Sequence, residues 1–189
     1  MRLTTTSGTN QYPSTNLRGI FMKLAKGNLF QLPCDALCIT TNGFVKANGE
    51  CVMGKGCAKQ LVTYYPQAPR LLGQSIKQNG NVVQCFMHAG VPIIAFPVKP
   101  VSAIYDGTNA VAHMANKFKV GDTIPGWACK ADINIIIQSA NQLRAIADRD
   151  NLTNITLPYA GCGAGELDWN DVYPILNSIL DDRFTAVTY

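Results

Sequence analysis

The 189-residue chain lacks long apolar runs, blocks of charge and paired cysteine motifs. No hydrophobic stretch approaches the roughly 18 residues that a membrane-spanning helix requires, and the polar start of the chain lacks the apolar segment of a signal peptide. The seven cysteines show no C-x-x-C spacing, and His88 and His113 stand in no recognisable zinc-ligand pattern. We therefore expect free thiols in a reducing cytoplasm, no membrane contact, and neither a metal nor a cofactor.

Charged residues make up only 15% of the chain, and their scattered basic excess gives a formal net charge of +4. This excess is compatible with an anionic ligand or a nucleic-acid partner, although solubility alone explains it equally well. A hydrophobic content of 47% indicates a globular chain. The length suits one domain, which we expect over residues 22–189, with Met22 as a candidate native start. Residues 1–21 are interpreted as a disordered leader or an expression remnant.

Alternating strand and helix patterns predict an α/β fold with a mixed, mostly parallel sheet. Short apolar runs predict strands at Met22–Ala25, Ala36–Thr40, Val82–His88, Val91–Pro97, Asn154–Leu157 and Phe184–Thr188. Helical spacing predicts helices from Gly54 to Pro66, around Leu71–Ile76, around Val111–Phe118, over Ala131–Arg149 and over Trp169–Leu180.

Three further features concern turns and helix ends. The dipeptide Ala89-Gly90 predicts a hairpin, whose second strand Pro97 and Pro100 are expected to stop. The poorly patterned segment Ser102–Gly126 is long enough to form a lid or a functional insertion. Asp168 is the expected N-cap of the last helix, although as a carboxylate it is also a candidate general base.

Two glycine-rich loops, each between a predicted strand and a predicted helix, carry the strongest functional signal. They are Met53-Gly54-Lys55-Gly56-Cys57 and Gly161-Cys162-Gly163-Ala164-Gly165. Glycine lets backbone N–H groups turn toward an anion, and a helix N-terminus adds partial positive charge. The first loop lacks the spacing of a P-loop, which argues against nucleoside-triphosphate hydrolysis, and it also lacks the full G-x-G-x-x-G of a dinucleotide site. Either loop alone could be a packing turn, but together they predict a pocket that holds a phosphate-rich ligand from two sides.

Four side chains near these loops are candidates for chemistry. Asn42 follows a buried strand, where its amide can bind ribose hydroxyls or simply form a turn. Lys99 is either a phosphate ligand, a nucleophile with a pKa lowered by burial, or a solvated surface lysine. Glu166 is a candidate general base. Cys162 lies before a helix, but without a visible histidine partner it is not expected to be catalytic.

These segments resemble the macrodomain family, which has a three-layer α/β/α sandwich and binds ADP-ribose. The likeness covers about Lys23 to Tyr189. Gly27–Phe30 is similar to the family's G-D-[IL] motif, with Asn28 in place of the aspartate that contacts adenine, although Asn28 could also be only a turn or a helix cap. Cys38–Asn42 is similar to V-N-A-A-N, which implies that Asn42 faces the distal ribose.

The likeness extends to one branch of that family, which includes antitoxins that remove ADP-ribose from DNA and a deacylase acting on glutamate-linked ADP-ribose. Met53–Ala58 resembles its M-G-K-G-I-A loop, and Gly161–Trp169 resembles G-C-G-x-G-G-L-D-W. Ala95–Lys99 is similar to N-F-P-T-K, whose lysine is catalytic, although Ala95 and Val98 replace polar residues there. Gly165 stands where the deacylase has a catalytic aspartate.

The resemblance implies an enzyme that hydrolyses an ADP-ribosyl linkage on a nucleic acid or a protein, as a mono-ADP-ribosyl glycohydrolase does. Lys99 and Asn42 take the catalytic roles. The implied ligand contacts are Asn28, Leu29, Asn42, Met53, Gly54, Lys55, Gly56, Cys57, Gly161, Cys162, Gly163, Ala164, Gly165 and Glu166. Two alternatives stay open: a phosphatase acting on ADP-ribose 1″-phosphate, in which Lys99 clamps the phosphate, and a reader that binds ADP-ribose without chemistry.

Overall fold

A six-stranded sheet forms the centre of the computed structural model, which describes residues 21–188. Its strands are β1 (Lys23–Lys26), β2 (Ala36–Asn42), β3 (Gln84–His88), β4 (Val91–Lys99), β7 (Ile155–Pro158) and β8 (Phe184–Thr188). They lie in the order β1-β8-β7-β2-β4-β3, and every neighbouring pair is parallel except the β3–β4 hairpin. The predicted mixed, mostly parallel sheet is confirmed. The prediction of a leader before Met22 lies, apart from Phe21, outside the described residues.

Helices cover both faces of this sheet. One face packs on α1 (Gly56–Tyr64) and α2 (Ala68–Asn79), and the other packs on α4 (Ile133–Arg149) and α5 (Trp169–Ile179). The side of α4 that faces the sheet is apolar at helical spacing, through Ile136, Ala140, Leu143 and Ala147. Within residues 21–188, no helix has the length and apolar character to span a membrane.

The strand β2 is buried on both of its faces, which explains its unbroken apolar sequence. Alternate side chains point to opposite sides of a sheet, so Leu37 and Ile39 join the core under α1 and α2. Ala36 and Cys38 join the core under α4 and α5. A strand between two helical layers therefore has no solvent-facing side that would require polar residues.

The strand β4 does not stop at Pro97, so that part of the prediction is wrong, whereas the stop at Pro100 is confirmed. It continues to Lys99 and ends before Pro100. Its partner β3 pairs no further than Ala95, which leaves the far side of β4 without a strand from there on. The carbonyl of Pro97 points to that side and accepts a hydrogen bond from Ser139 Oγ at 2.8 Å. The N–H and the C=O of a strand residue point to the same side. An N–H at Pro97 would therefore face the side without a strand, so its absence costs no hydrogen bond between strands.

The segment between β4 and α4 folds as a small unit beside the sheet. It contains the antiparallel pair β5 (Ser102–Ile104) and β6 (Thr123–Pro125), the four-residue helix α3 (Ala112–Ala115), and a 3₁₀ turn over Gly126–Ala128. The predicted helix around Val111–Phe118 is therefore present but shorter. Tyr105, Ala110, Ile124 and Cys129 form a core of its own.

Gly73, in the middle of α2, determines how closely the loop after β2 can pack. A Cβ at this position would overlap the carbonyl oxygen of Gly49 and lie 2.8 Å from the backbone nitrogen of Cys51. Glycine is normally unfavourable inside a helix, by about 1 kcal/mol relative to alanine. A glycine is present here because the backbone of the loop that leads to Met53 leaves no room for a Cβ.

We predict that Gly73→Ala lowers the free energy of unfolding by about 1–3 kcal/mol, because the new methyl group overpacks this contact. Urea denaturation measures the change. Gln74→Ala, at the neighbouring exposed position of α2, is the control and should stay within about 0.5 kcal/mol of the wild type. A gain in stability for Gly73→Ala would mean that helix propensity outweighs the contact.

Candidate functional site

A cleft of about 540 Å³ lies at the carboxyl ends of β7, β2 and β4. These three strands are neighbours in the sheet, so the residues that follow them meet at one edge. The volume is within the usual range for a small-molecule site. Of the predicted site residues, the cleft is lined by Leu29, Asn42, Met53, Gly54, Lys55, Gly56, Cys57, Lys99, Gly161, Cys162, Gly163, Ala164 and Gly165.

The first glycine loop enters α1 without a side-chain cap. Lys55 is the N-cap residue, and no side chain accepts a hydrogen bond from the first turn. Within residues 21–188, the N–H groups of Gly54, Lys55 and Gly56 donate to no protein acceptor. Gly56 has φ +59°, a conformation that favours glycine. The loop therefore offers backbone donors and the positive end of a helix to an anion.

The second glycine loop supplies a matching set of donors. In the described part of the chain, the N–H groups of Gly163, Ala164 and Gly165 have no protein acceptor. A Cβ at Gly165 would overlap the carbonyl oxygen of Gly161 and lie 2.6 Å from the Cβ of Ala131. The glycine at 165 is thus required for packing, and an aspartate at this position, as in the deacylase, is sterically excluded.

Asn42 is the last residue of β2, and its amide holds the first loop in place. Its Nδ2 donates to the carbonyl of Val52 at 2.8 Å, and its Oδ1 accepts from the N–H of Phe44 at 3.0 Å. A carboxamide has two N–H bonds and two lone pairs on oxygen, so one of each remains. Asn42 can therefore act as a turn former and still offer a donor and an acceptor to a ligand.

Lys99 is the last residue of β4, and only 7% of it is exposed. The alternative of a solvated lysine is therefore wrong. Its Nζ donates to the carbonyls of Ala164 at 2.7 Å and Trp127 at 3.3 Å. These two bonds leave the third position on Nζ for the cleft, either an N–H of the ammonium or the lone pair of the amine.

Burial also changes the protonation of Lys99. It lowers the pKa of this amine to about 8, and the negative charge of Glu166 opposes the shift. The positive charge of Lys55 adds to the lowering. The ammonium still predominates near pH 7, but the neutral fraction of Lys99 is larger than that of an ordinary lysine.

The segment between β4 and α4 contributes to the cleft, and sequence reasoning identified none of its residues there. His113 of α3 and Trp127 both line the cleft. The Nζ of Lys55 lies 2.9 Å from Nε2 of His113. Tyr159, also missed, lines the cleft and stacks on Trp169 with ring centroids 3.8 Å apart. The only sequence signal for the contribution of His113 was that the segment Ser102–Gly126 is long enough to form a lid or a functional insertion.

Two predicted ligand residues are not among those that line the cleft. Asn28 Oδ1 accepts from the N–H of Phe30 at 3.0 Å and so forms a local turn. The carboxylate of Glu166 accepts from the N–H of Ala112. Their roles toward a ligand stay predictions, and so do the roles of the residues that line the cleft.

The remaining candidates behave as ordinary structural groups. Asp168 caps α5 by accepting from the N–H of Asn170 at 2.8 Å, as predicted. Burial raises the pKa of the Cys162 thiol to about 11, so this cysteine is not an activated nucleophile. Within residues 21–188, no three His, Cys, Asp or Glu side chains converge as metal ligands would.

Comparisons with known proteins identify the fold. No model of a protein family matches the sequence, and no curated protein matches it. The macrodomains of Mycobacterium tuberculosis DarG and Thermus aquaticus DarG are each 20% identical, with TM-scores of 0.64 and 0.63, and the match covers 89% of this chain and 97% of theirs. Thermosipho africanus DarTG in complex with ADP-ribose is 15% identical, with a TM-score of 0.65 over 90% of this chain and 42% of that one. The chain therefore has the macrodomain fold, as the resemblance predicted.

We predict that the second loop tolerates a methyl group at Gly163 but not at Gly165. A Cβ at Gly163 meets nothing within 4 Å, whereas one at Gly165 overlaps backbone. Gly165→Ala should therefore cost about 1–3 kcal/mol in the free energy of unfolding, and Gly163→Ala less than about 0.5 kcal/mol. Urea denaturation of both variants checks the difference, and equal stability would contradict the packing described for this loop.

Proposed function

We propose that this protein, which has the macrodomain fold, binds ADP-ribose in the cleft and hydrolyses an ADP-ribosyl linkage on a macromolecule. The observation that carries the proposal is the Lys99 amine, which is buried in the cleft beside two loops with unpaired N–H groups. The fold likeness to a protein bound to ADP-ribose supports the choice of ligand.

The diphosphate of ADP-ribose suits the two glycine loops. N–H groups of Gly54–Gly56 and Gly163–Gly165 approach it from opposite sides, and the start of α1 adds partial positive charge. Asn42 keeps one donor and one acceptor for the distal ribose. Asn42 and Lys99 are register partners on β2 and β4, so a distal ribose bound by Asn42 would have its anomeric carbon close to the Lys99 amine.

Lys99 then acts on the anomeric carbon. The lone pair of its neutral amine forms a bond to this carbon while the bond to the leaving group breaks, and the proton that the amine then loses passes to the leaving group. Water subsequently adds to the same carbon, breaks the bond to Lys99 and releases ADP-ribose. Two carbonyl acceptors hold the Nζ in one orientation, which reduces the entropy cost of the attack.

The contacts of Lys99 also favour a second candidate. While protonated, the same amine is a fixed cation that could clamp the phosphate of ADP-ribose 1″-phosphate, as a phosphatase requires. A reader without chemistry would use the cation for binding alone. The protonation state that supports activity separates the nucleophile from the clamp.

We predict that Lys99→Ala lowers the release of ADP-ribose at least about 100-fold, because the reacting amine is lost. ADP-ribose should still raise the melting temperature of the variant, since the loop N–H groups remain. Release is measured from an ADP-ribosylated oligonucleotide and an ADP-ribosylated protein, and phosphate release from ADP-ribose 1″-phosphate.

The exposed lysine at position 59 of α1 provides the matched control, and Lys59→Ala should keep full activity. Unchanged release by Lys99→Ala would contradict the mechanism. Phosphate release alone from the wild type would favour the phosphatase. A wild type that ADP-ribose stabilises but that is inactive in every assay would be a reader.

We further predict that kcat for ADP-ribose release rises with pH and levels off above about 8. Below the pKa of Lys99, at about 8, the unreactive ammonium predominates, so the rate should fall up to tenfold for each pH unit. A phosphate clamp requires the opposite dependence, with activity lost above pH 8. Initial rates between pH 6 and 10, approximately the range over which this amine titrates, distinguish the two; any residual rate of Lys99→Arg should lack the inflection.

A further inference from the structure

Glu166 has a backbone conformation that its residue type disfavours. Its φ is +61°, in the left-handed region where a side chain with a Cβ is strained. The loop pattern that Gly161–Trp169 resembles, G-C-G-x-G-G-L-D-W, has glycine at this position, which would relieve the strain. Strain of this kind persists where the side chain or its surroundings hold it in place.

The carboxylate of Glu166 makes one specific contact. Both of its oxygens accept from the N–H of Ala112, at 2.9 and 3.0 Å. Ala112 is the first residue of α3, and its N–H has no partner within such a short helix. Hydrogen bonds to a charged acceptor are stronger than neutral ones. The second glycine loop is thereby attached to the start of α3.

The next residue of α3 contacts the other glycine loop. His113 Nε2 lies 2.9 Å from the ammonium of Lys55. The helix α3 therefore bridges the two loops through adjacent residues, Ala112 on one side and His113 on the other. The segment meets the cleft at a third point, where the carbonyl of Trp127 accepts from Lys99.

We propose that Glu166 is a positioning residue that fixes α3 as a bridge between the two glycine loops and so closes the cleft over bound ADP-ribose. The strain at Glu166 is offset by its bond to Ala112, which keeps His113 in reach of Lys55. The bridge slows release of the ligand. This inference rests on the proposed function for the identity of the ligand. The negative charge of Glu166 also raises the pKa of Lys99 against the effect of burial.

The test is Glu166→Gly, which removes the carboxylate and relieves the backbone at once. We expect the dissociation rate of ADP-ribose, measured by stopped flow, to increase on the order of tenfold, since a charged hydrogen bond is lost. The melting temperature should stay the same or rise. Glu166→Gln keeps an acceptor oxygen for Ala112 and should restore most of the slow release.

Ala89→Gly is the matched control. Ala89 has φ +48° in the β3–β4 turn, at the opposite end of the sheet from the cleft, so its replacement relieves similar strain. It should change stability alone and leave ADP-ribose release unaffected. The inference would be overturned if ADP-ribose dissociates from Glu166→Gly as slowly as from the wild type, with or without a change in melting temperature.

Hydrogen exchange in the absence of ADP-ribose separates this inference from the proposed function. The amide of Ala112 should exchange at least about tenfold faster in Glu166→Gly than in the wild type, because its acceptor is gone. Unchanged exchange would show that Glu166 does not hold α3. A wild type that fails to bind ADP-ribose refutes the proposed function, and with it the ligand-closing role, while the exchange result still decides whether Glu166 positions α3.

Discussion

The two hydrogen bonds donated by the Lys99 amine join three parts of the chain that are distant in sequence. They link the end of strand β4 to Ala164 in the second glycine loop and to Trp127 in the segment before α4. Burying this amine is unfavourable, as its lowered pKa shows, and the two carbonyls offset part of that cost. This contact ties both walls of the cleft near Lys99 to the same nitrogen.

Structural and functional roles coincide at several residues of the cleft. Asn42 holds the first loop through Val52 and Phe44 and keeps only part of its hydrogen-bonding capacity for a ligand. Gly165 is required because backbone approaches it closely, and its N–H faces no protein acceptor in the described chain. Packing contacts among these residues hold the site in one conformation before the ligand binds. Fewer groups then have to be ordered on binding, which lowers its entropy cost.

The segment between β4 and α4 distinguishes this site from a cleft formed by two loops alone. With α3 in place, the first and second glycine loops are connected by Lys55, His113, Ala112 and Glu166. The second loop departs from the deacylase pattern at two positions. Gly165 stands where the deacylase has a catalytic aspartate, and Glu166 adds a carboxylate that faces α3. The chemistry proposed here therefore depends on one amine rather than on a lysine–aspartate pair.

Local patterns in the sequence were sufficient for the sheet, the loops and some helix ends. The strand Phe184–Thr188 and the Asp168 cap were predicted where they are found, because β-branched runs and capping residues act on their immediate neighbours. Most of the lining of the cleft was also predicted, since loops after neighbouring parallel strands must meet. The prediction that Pro97 stops β4 was wrong because a proline is tolerated there once β3 no longer pairs with β4. Where β3 stops pairing is decided by the register between the two strands. The burial of Lys99 and the bridge formed by α3 arise from contacts between distant segments, and only tertiary packing decides which partners such polar groups meet.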